Sequence, residues 1–163
     1  MPRRRKKKIV RVIHPSTGPL PLQLAPLYAG RLLAFSDASQ KRHGGLAAVL
    51  FDTPDSEALV KTRTVGVVGS NELELQASLF ALEQAHQHFP GRPLALFSDN
   101  QDAVIRLNRG KTQGLEQDPE LLQYLAEFDL LDTLANASIC WIKGHSSCRG
   151  NILADLHAVI AAS

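Results

Sequence analysis

The stretch whose reading decides the fold is residues 31–51, RLLAFSDASQKRHGGLAAVLF. Its opening, residues 31–36 (RLLAFS), is short, apolar and followed at once by Asp37. That is the pattern of a buried strand whose last residue meets solvent at the sheet edge. A second apolar run, residues 45–51 (GLAAVLF), comes after a loop of Lys41, Arg42, His43 and Gly44, so the two predict a hairpin. Residues 59–68, rich in valine and threonine, predict a third strand.

Working outward, Ser70 or Asn71 offers a helix N-cap, and the segment to about His88 sets Leu73, Ala77, Phe80, Ala81 and Gln84 on one stripe beside Leu75, Leu79 and Leu82. Residues 93–97 (PLALF) form another short apolar strand and again lead into Ser-Asp, at Ser98 and Asp99. A short helix over residues 101–108 follows. Asp118 and Pro119, as N-cap and first helical residue, open a helix to about residue 131. A fifth strand over residues 137–142 and a helix over residues 148–162 close the chain. Upstream, Pro15, Pro19, Pro21 and Pro26 within residues 13–26 argue for an extended linker, with ordered structure beginning near Tyr28. The expected division is a basic, proline-containing arm over residues 1–27 and a catalytic domain over residues 28–163.

This order describes an α/β domain: a five-stranded mixed sheet, three antiparallel strands leading into parallel ones, flanked by helices. Sheets of this kind place ligands outside the strand ends near the point where strand order reverses. Both Asp37 and Asp99 follow apolar strands toward that edge.

At 163 residues and 44% hydrophobic content, the chain has the material for one domain with a proper core. No apolar run approaches the ~20 residues that span a bilayer, and the opening residues lack the apolar stretch of a secretory signal. The two cysteines, Cys140 and Cys148, are too few for a disulfide framework and are expected as free thiols of a reducing compartment. A soluble, cytoplasmic monomer with no membrane association and no implied protein partner is expected. The net charge of +2 conceals an asymmetry. Arg3, Arg4, Arg5, Lys6, Lys7, Lys8 and Arg11 form an arm without acids, leaving a body of eleven basic against sixteen acidic residues. A basic arm on an acidic body suggests a polyanionic partner, although a solubilising tail or a targeting signal has the same composition.

Taken singly, Asp37 and Asp99 read as turn formers, Glu74 as a favourable charge in the first turn of a helix, and Asp155 as a solvated helix residue. Jointly they read differently. The first strand and the strand after the long helix are neighbours in a crossover sheet, which brings Asp37 and Asp99 together, and Glu74 at the start of the crossover helix reaches the same edge. Gathered carboxylates repel and raise one another's pKa, so such a cluster is stable mainly when cations neutralise it. An all-oxygen donor set favours Mg²⁺ or Mn²⁺, and two such ions serve phosphodiester hydrolysis.

At this point the chain resembles the ribonuclease H family, in particular bacterial ribonuclease HI, from about Arg31 to Ala162. FSDASQ is similar to the family's first-strand Asp-Gly-Ser motif and puts Asp37 in the place of the first catalytic aspartate. SNELELQASLFALEQA resembles its Asn-x-x-x-Glu-Leu-x-Ala helix opening, with Glu74 matching the catalytic glutamate. FSDNQDAV is similar to its Thr-Asp-Ser-Gln run and gives Asp99. WIKGHSSCRGNILADLHA resembles its Trp-Val-Lys-Gly-His segment, with His145 as the loop histidine of proton transfer or product release, and Asn151 and Asp155 where Asn and the fourth Asp stand.

The resemblance implies an endoribonuclease that cuts the RNA strand of RNA/DNA hybrids, with two Mg²⁺ or Mn²⁺ ions bridged by Asp37 and completed by Glu74, Asp99 and Asp155. Ser39, Asn71 and Gln101 would read the 2′-hydroxyls, with Asn151 also facing substrate. Ala38 replaces the motif glycine. The family's basic, tryptophan-rich protrusion has no counterpart, since only residues 108–117 (NRGKTQGLEQ) stand in its place. Arg3, Arg4, Arg5, Lys6, Lys7 and Lys8 would substitute for it electrostatically. Trp141, inside an apolar strand, is expected in the core rather than stacked on a base. A zinc set of Cys140, His145, Cys148 and His157 fits no common finger spacing. The alternatives are another nuclease or strand-transfer enzyme on the same fold, and a non-catalytic nucleic-acid-binding module.

Overall fold

Alternation along the first strand sorts the core into two halves. In the computed structural model, which describes residues 18–144 and 148–163, β1 spans Leu32–Gln40 and β2 spans Gly44–Phe51. Leu32 and Ala34 point into one apolar cluster, Leu33 and Phe35 into the other. Both strands have both faces covered, and β2 is buried along its whole length. β3 (Leu59–Val65) is an outer strand with alternating exposure. The remaining strands are β4 (Leu94–Ser98) and β5 (Ala137–Trp141), and the sheet order is β3-β2-β1-β4-β5. β1, β2 and β3 pair antiparallel, while β4 and β5 run parallel to β1, as the sequence predicts.

The first strand is longer than expected. It runs through Asp37, which pairs with Ala47, because β2 continues the ladder as far as Gly44. β4 stops at Ser98, opposite Ser36, so Asp37 is the first β1 residue beyond its parallel neighbour. The carboxylate therefore stands at a step in the sheet rather than at a strand end.

α1 (Ser70–His88) and α5 (Arg149–Ala162) cover opposite faces of β1 and β2. The N-cap of α1 is Gly69, not Ser70 or Asn71. Gly69 adopts a φ of +102°, open to glycine, and its N–H donates to Gln40 Oε1 at 2.9 Å, which ties the helix start to the end of β1. α2 (Gln101–Gln113) extends past the expected Asn108. Its last turns serve an edge strand: Asn108 Nδ2 donates to the carbonyl of Ile139 at 3.0 Å, and Lys111 Nζ to that of Ala137. Those are outward carbonyls of β5 that would otherwise lie unpaired.

Asp118 caps α3 (Pro119–Glu127) by accepting from the Leu121 N–H at 3.3 Å, as predicted. That helix does not reach residue 131. It breaks at Asp129, which has a φ of +55°, and resumes as α4 (Leu131–Ala135). The break drops Leu130 fully into the core, its N–H bonded to Leu125 O at 2.7 Å.

The described part of the proline-containing stretch is not an extended linker. Leu24 and Ala25 donate back to Pro21 O, and a 3₁₀ turn covers Ala25–Tyr28. Leu20 is already buried beside Leu33, Phe35 and Phe97, so ordered packing begins before Tyr28. Fixed proline φ angles set turns here as readily as extension. Tyr28 packs edge-on against Phe97 and meets Cys140 Sγ through its hydroxyl at 3.2 Å. Cys140 and Cys148 are free thiols.

Two glycines let α5 lie directly on the sheet. A Cβ on Gly150 would sit 2.3 Å from the Phe35 ring, and one on Gly45 would sit 2.1 Å from Ala158 O. Gly45→Ala is expected to destabilise the fold by about 2 kcal/mol or more, a fall in Tm on the order of 5 °C. Gly66→Ala, where nothing lies within 4 Å, should melt within ~0.5 kcal/mol of wild type by circular dichroism.

Candidate metal centre

Asp37, Glu74 and Asp99 come from β1, from the first turn and a half of α1, and from the residue after β4. One carboxylate oxygen from each lies within 4.8 Å of the others. The meeting takes place at the step left by β4, where Asp37 is paired with β2 on one side and has no parallel neighbour on the other. Asp37 is buried, and the other two acids are partly buried.

Burial pushes the Asp37 carboxyl up to about 7, with the Asp99 charge adding to the rise. Burial, together with the charges of Asp37 and Asp99, likewise pushes Glu74 up to about 9. The Ala38 N–H opposes both shifts, donating to Asp37 Oδ1 at 2.9 Å. Glu74 Oε2 is buried without a hydrogen-bond partner. An orphaned carboxylate oxygen beside two more carboxylates costs free energy unless a cation faces it. The donor set is all oxygen, so the residues fit a hard divalent ion.

Of the four predicted acids, then, three converge. Asp155 lies on α5, exposed and outside the tight group, yet close enough that its charge adds to the rise at Asp37. Ser39 is half-buried two residues beyond Asp37, paired with Gly45. Asn71 and Gln101 are exposed at the starts of α1 and α2. Asn151 is only 4% exposed, which corrects the expectation of a substrate-facing side chain. Gly150, beside it, seats the first turn of α5 on Phe35. His145 and the arm residues Arg3, Arg4, Arg5, Lys6, Lys7 and Lys8 lie outside the described residues.

The reading of Trp141 as a core residue is also corrected. Its side chain is 47% exposed and donates its Nε1–H to the carbonyl of Asp99 at 3.1 Å. β5 is an edge strand, and Trp141 stands level with Ser98, where the strands end.

Three contributors escaped the sequence reading. Asn100 caps α2 through Ala103 N–H at 2.8 Å, and its amide donates to Asn71 Oδ1 at 3.3 Å, so it links the starts of two helices. A capping residue before Gln101 was legible; the link to Asn71 was not. Ser78 bonds the carbonyl of Glu74 at 3.2 Å and meets Ser36 Oγ at 3.3 Å, a buried hydroxyl pair beneath the acids. A Cβ on Gly144 would stand 3.2 Å from Asp99 Oδ2, so the backbone there packs directly against the carboxylate.

The sequence profile of the RNase H family matches residues 30–163. No curated protein matches the chain. Among solved structures it is similar to RNase H1 from the halophilic archaeon Halobacterium salinarum NRC-1, at 24% identity over 81% of this chain and 97% of that one, with a TM-score of 0.57. It is similar to the N-terminal RNase H domain of a Mycobacterium tuberculosis protein, at 18% identity over 82% and 94%, with a TM-score of 0.61. The RNase H domain of prototype foamy virus matches at 17% identity over 85% and 98%, with a TM-score of 0.64. At these identities the likeness concerns the fold. The profile match is to the family as a whole; the narrower likeness to bacterial ribonuclease HI rests on the motifs.

Because Asp37 and Glu74 hold protons more tightly folded than unfolded, each destabilises the fold progressively as pH rises above its ordinary value near 4, up to about 7 and about 9 respectively. Metal-free protein should lose stability across pH 5–9, and saturating Mg²⁺ or Mn²⁺ should restore it. Asp37→Asn without metal should melt higher than wild type at pH 8, by an amount on the order of 5 °C. A flat Tm profile in metal-free wild type would contradict the proximity of these acids.

Proposed function

Since the chain belongs to the RNase H family, we propose that it hydrolyses the RNA strand of RNA/DNA hybrids at the Asp37, Glu74 and Asp99 cluster. The observation that carries this reading is the partnerless, buried Glu74 Oε2 within a carboxylate group spanning 4.8 Å. A pure nucleic-acid binder gains nothing from negative charge gathered where phosphates must approach. Asp37, Glu74 and Asp99 would hold Mg²⁺ or Mn²⁺, with Asp155 completing the shell of a second ion. Bound there, such ions supply activation of a water and stabilisation of the leaving oxygen of the phosphodiester.

The chain's own residues prepare the site. The Ala38 N–H fixes Asp37 Oδ1, Ser78 bonds the carbonyl of Glu74, and Asn71 and Gln101 stand exposed at the starts of α1 and α2. Ser39, Asn71 and Gln101 are accessible for reading 2′-hydroxyls, and Asn100 restrains the Asn71 amide. His145, by the motif resemblance, would move a proton during turnover or product release. The basic arm would supply attraction to phosphates that the absent protrusion does not.

Asp37→Asn and Asp99→Asn should each lower Mg²⁺-dependent cleavage of labelled hybrid by at least about a thousandfold. Duplex RNA and duplex DNA run in parallel separate this reading from another nuclease on the same fold. Retained turnover in both variants would falsify the assignment. Removing residues 1–11 should weaken hybrid binding and flatten its salt dependence; equal affinity and slope would show that the arm plays no part.

A further inference from the structure

Trp141 is an apolar ring standing half in water, and a lone exposed aromatic needs no explanation by itself. Its hydrogen bond does. Two peptide units flank the Cα of Asp99. The carbonyl of the first, on Ser98, accepts the Ile142 N–H at 2.9 Å. The carbonyl of the second, on Asp99 itself, accepts the Trp141 indole N–H at 3.1 Å. The amide of that same second unit, on Asn100, donates to Ser98 Oγ at 3.2 Å. Trp141, the last residue of β5, and Ile142 just after it thus hold both sides of Asp99, and the second unit is held at both of its polar ends. The strand pairing ends at Ser98 and Trp141, and past that point the side chains of Trp141 and Ser98 restrain the peptide unit that follows Asp99.

We propose that Trp141 is a positioning residue of the centre: its indole N–H fixes the backbone of Asp99 and so the place of that carboxylate beside Asp37 and Glu74. Trp141 acts through Asp99 and needs no contact with substrate or ion. The proposal rests on the metal-dependent reading of the site, but its first test does not require activity. The second side chain of the clamp is Ser98, itself buried.

The experiment measures Mn²⁺ binding by electron paramagnetic resonance on the full chain, together with kcat and KM on hybrid. Trp141→Phe keeps the ring and removes the donor. It should weaken Mn²⁺ binding by about tenfold and lower kcat similarly, with KM for hybrid and Tm unchanged. Ser98→Ala should act in the same direction, and the double variant should lose less than the two single losses combined, because both act on one peptide unit. Unchanged Mn²⁺ affinity in Trp141→Phe overturns the proposal. So does an effect confined to KM, which would make the ring a stacking platform, or full additivity in the double variant. Wild-type protein that binds Mn²⁺ yet leaves hybrid intact would defeat the proposed function alone, while the affinity comparison still decides the role of Trp141.

Discussion

Carboxylates brought within 4.8 Å of one another in a half-dry setting repel, and in this protein the repulsion is concentrated where the central strands end. Asp37 and Glu74 respond by binding protons near neutral pH and above, far from their ordinary range. An arrangement so unfavourable on its own persists because the rest of the fold overdetermines it. The sheet, both covering helices and the loop at Gly144 each fix one part of it. The same repulsion is what makes the place attractive to a divalent cation, since an ion converts three mutual penalties into three favourable contacts.

The fold meets this constraint through strand lengths and small residues. β1 outruns β4, which opens a step where a helix-borne glutamate can reach a strand-borne aspartate. Gly45 and Gly150 let α5 descend onto the sheet, carrying Asp155 within electrostatic reach of Asp37. Gly144 lets the chain pass against the Asp99 carboxylate. None of these residues has chemistry of its own. Each matters because a Cβ would occupy space that the acids or their supporting helix need.

The margin of the sheet is organised just as deliberately. β5 is an edge strand, and α2 satisfies its outward carbonyls with Asn108 and Lys111. Beyond the last ladder bond, Trp141 continues the same task on the turn that bears Asp99. Edge protection and site geometry therefore meet on one strand, β5, which α2 covers in its first half and which ends in the residue that bonds Asp99.

The mixed sheet, the crossover helix and the three converging acids were legible in the sequence, because short apolar runs ending in Ser-Asp and a long apolar stripe are local signals of burial. Asp118 as an N-cap was legible for the same reason, its side chain acting within three residues. What tertiary structure alone decided involves partners distant in the chain. The Asp129 break follows from the pull of the core on Leu130, and the exposure of Trp141 from its position at the end of an edge strand. The seating of α5, in whose first turn Asn151 is buried, involves the contact of Gly150 with a ring 115 positions earlier, at Phe35. Local pattern reports which face of an element is apolar; only packing reports how far that element extends and what meets it at its ends.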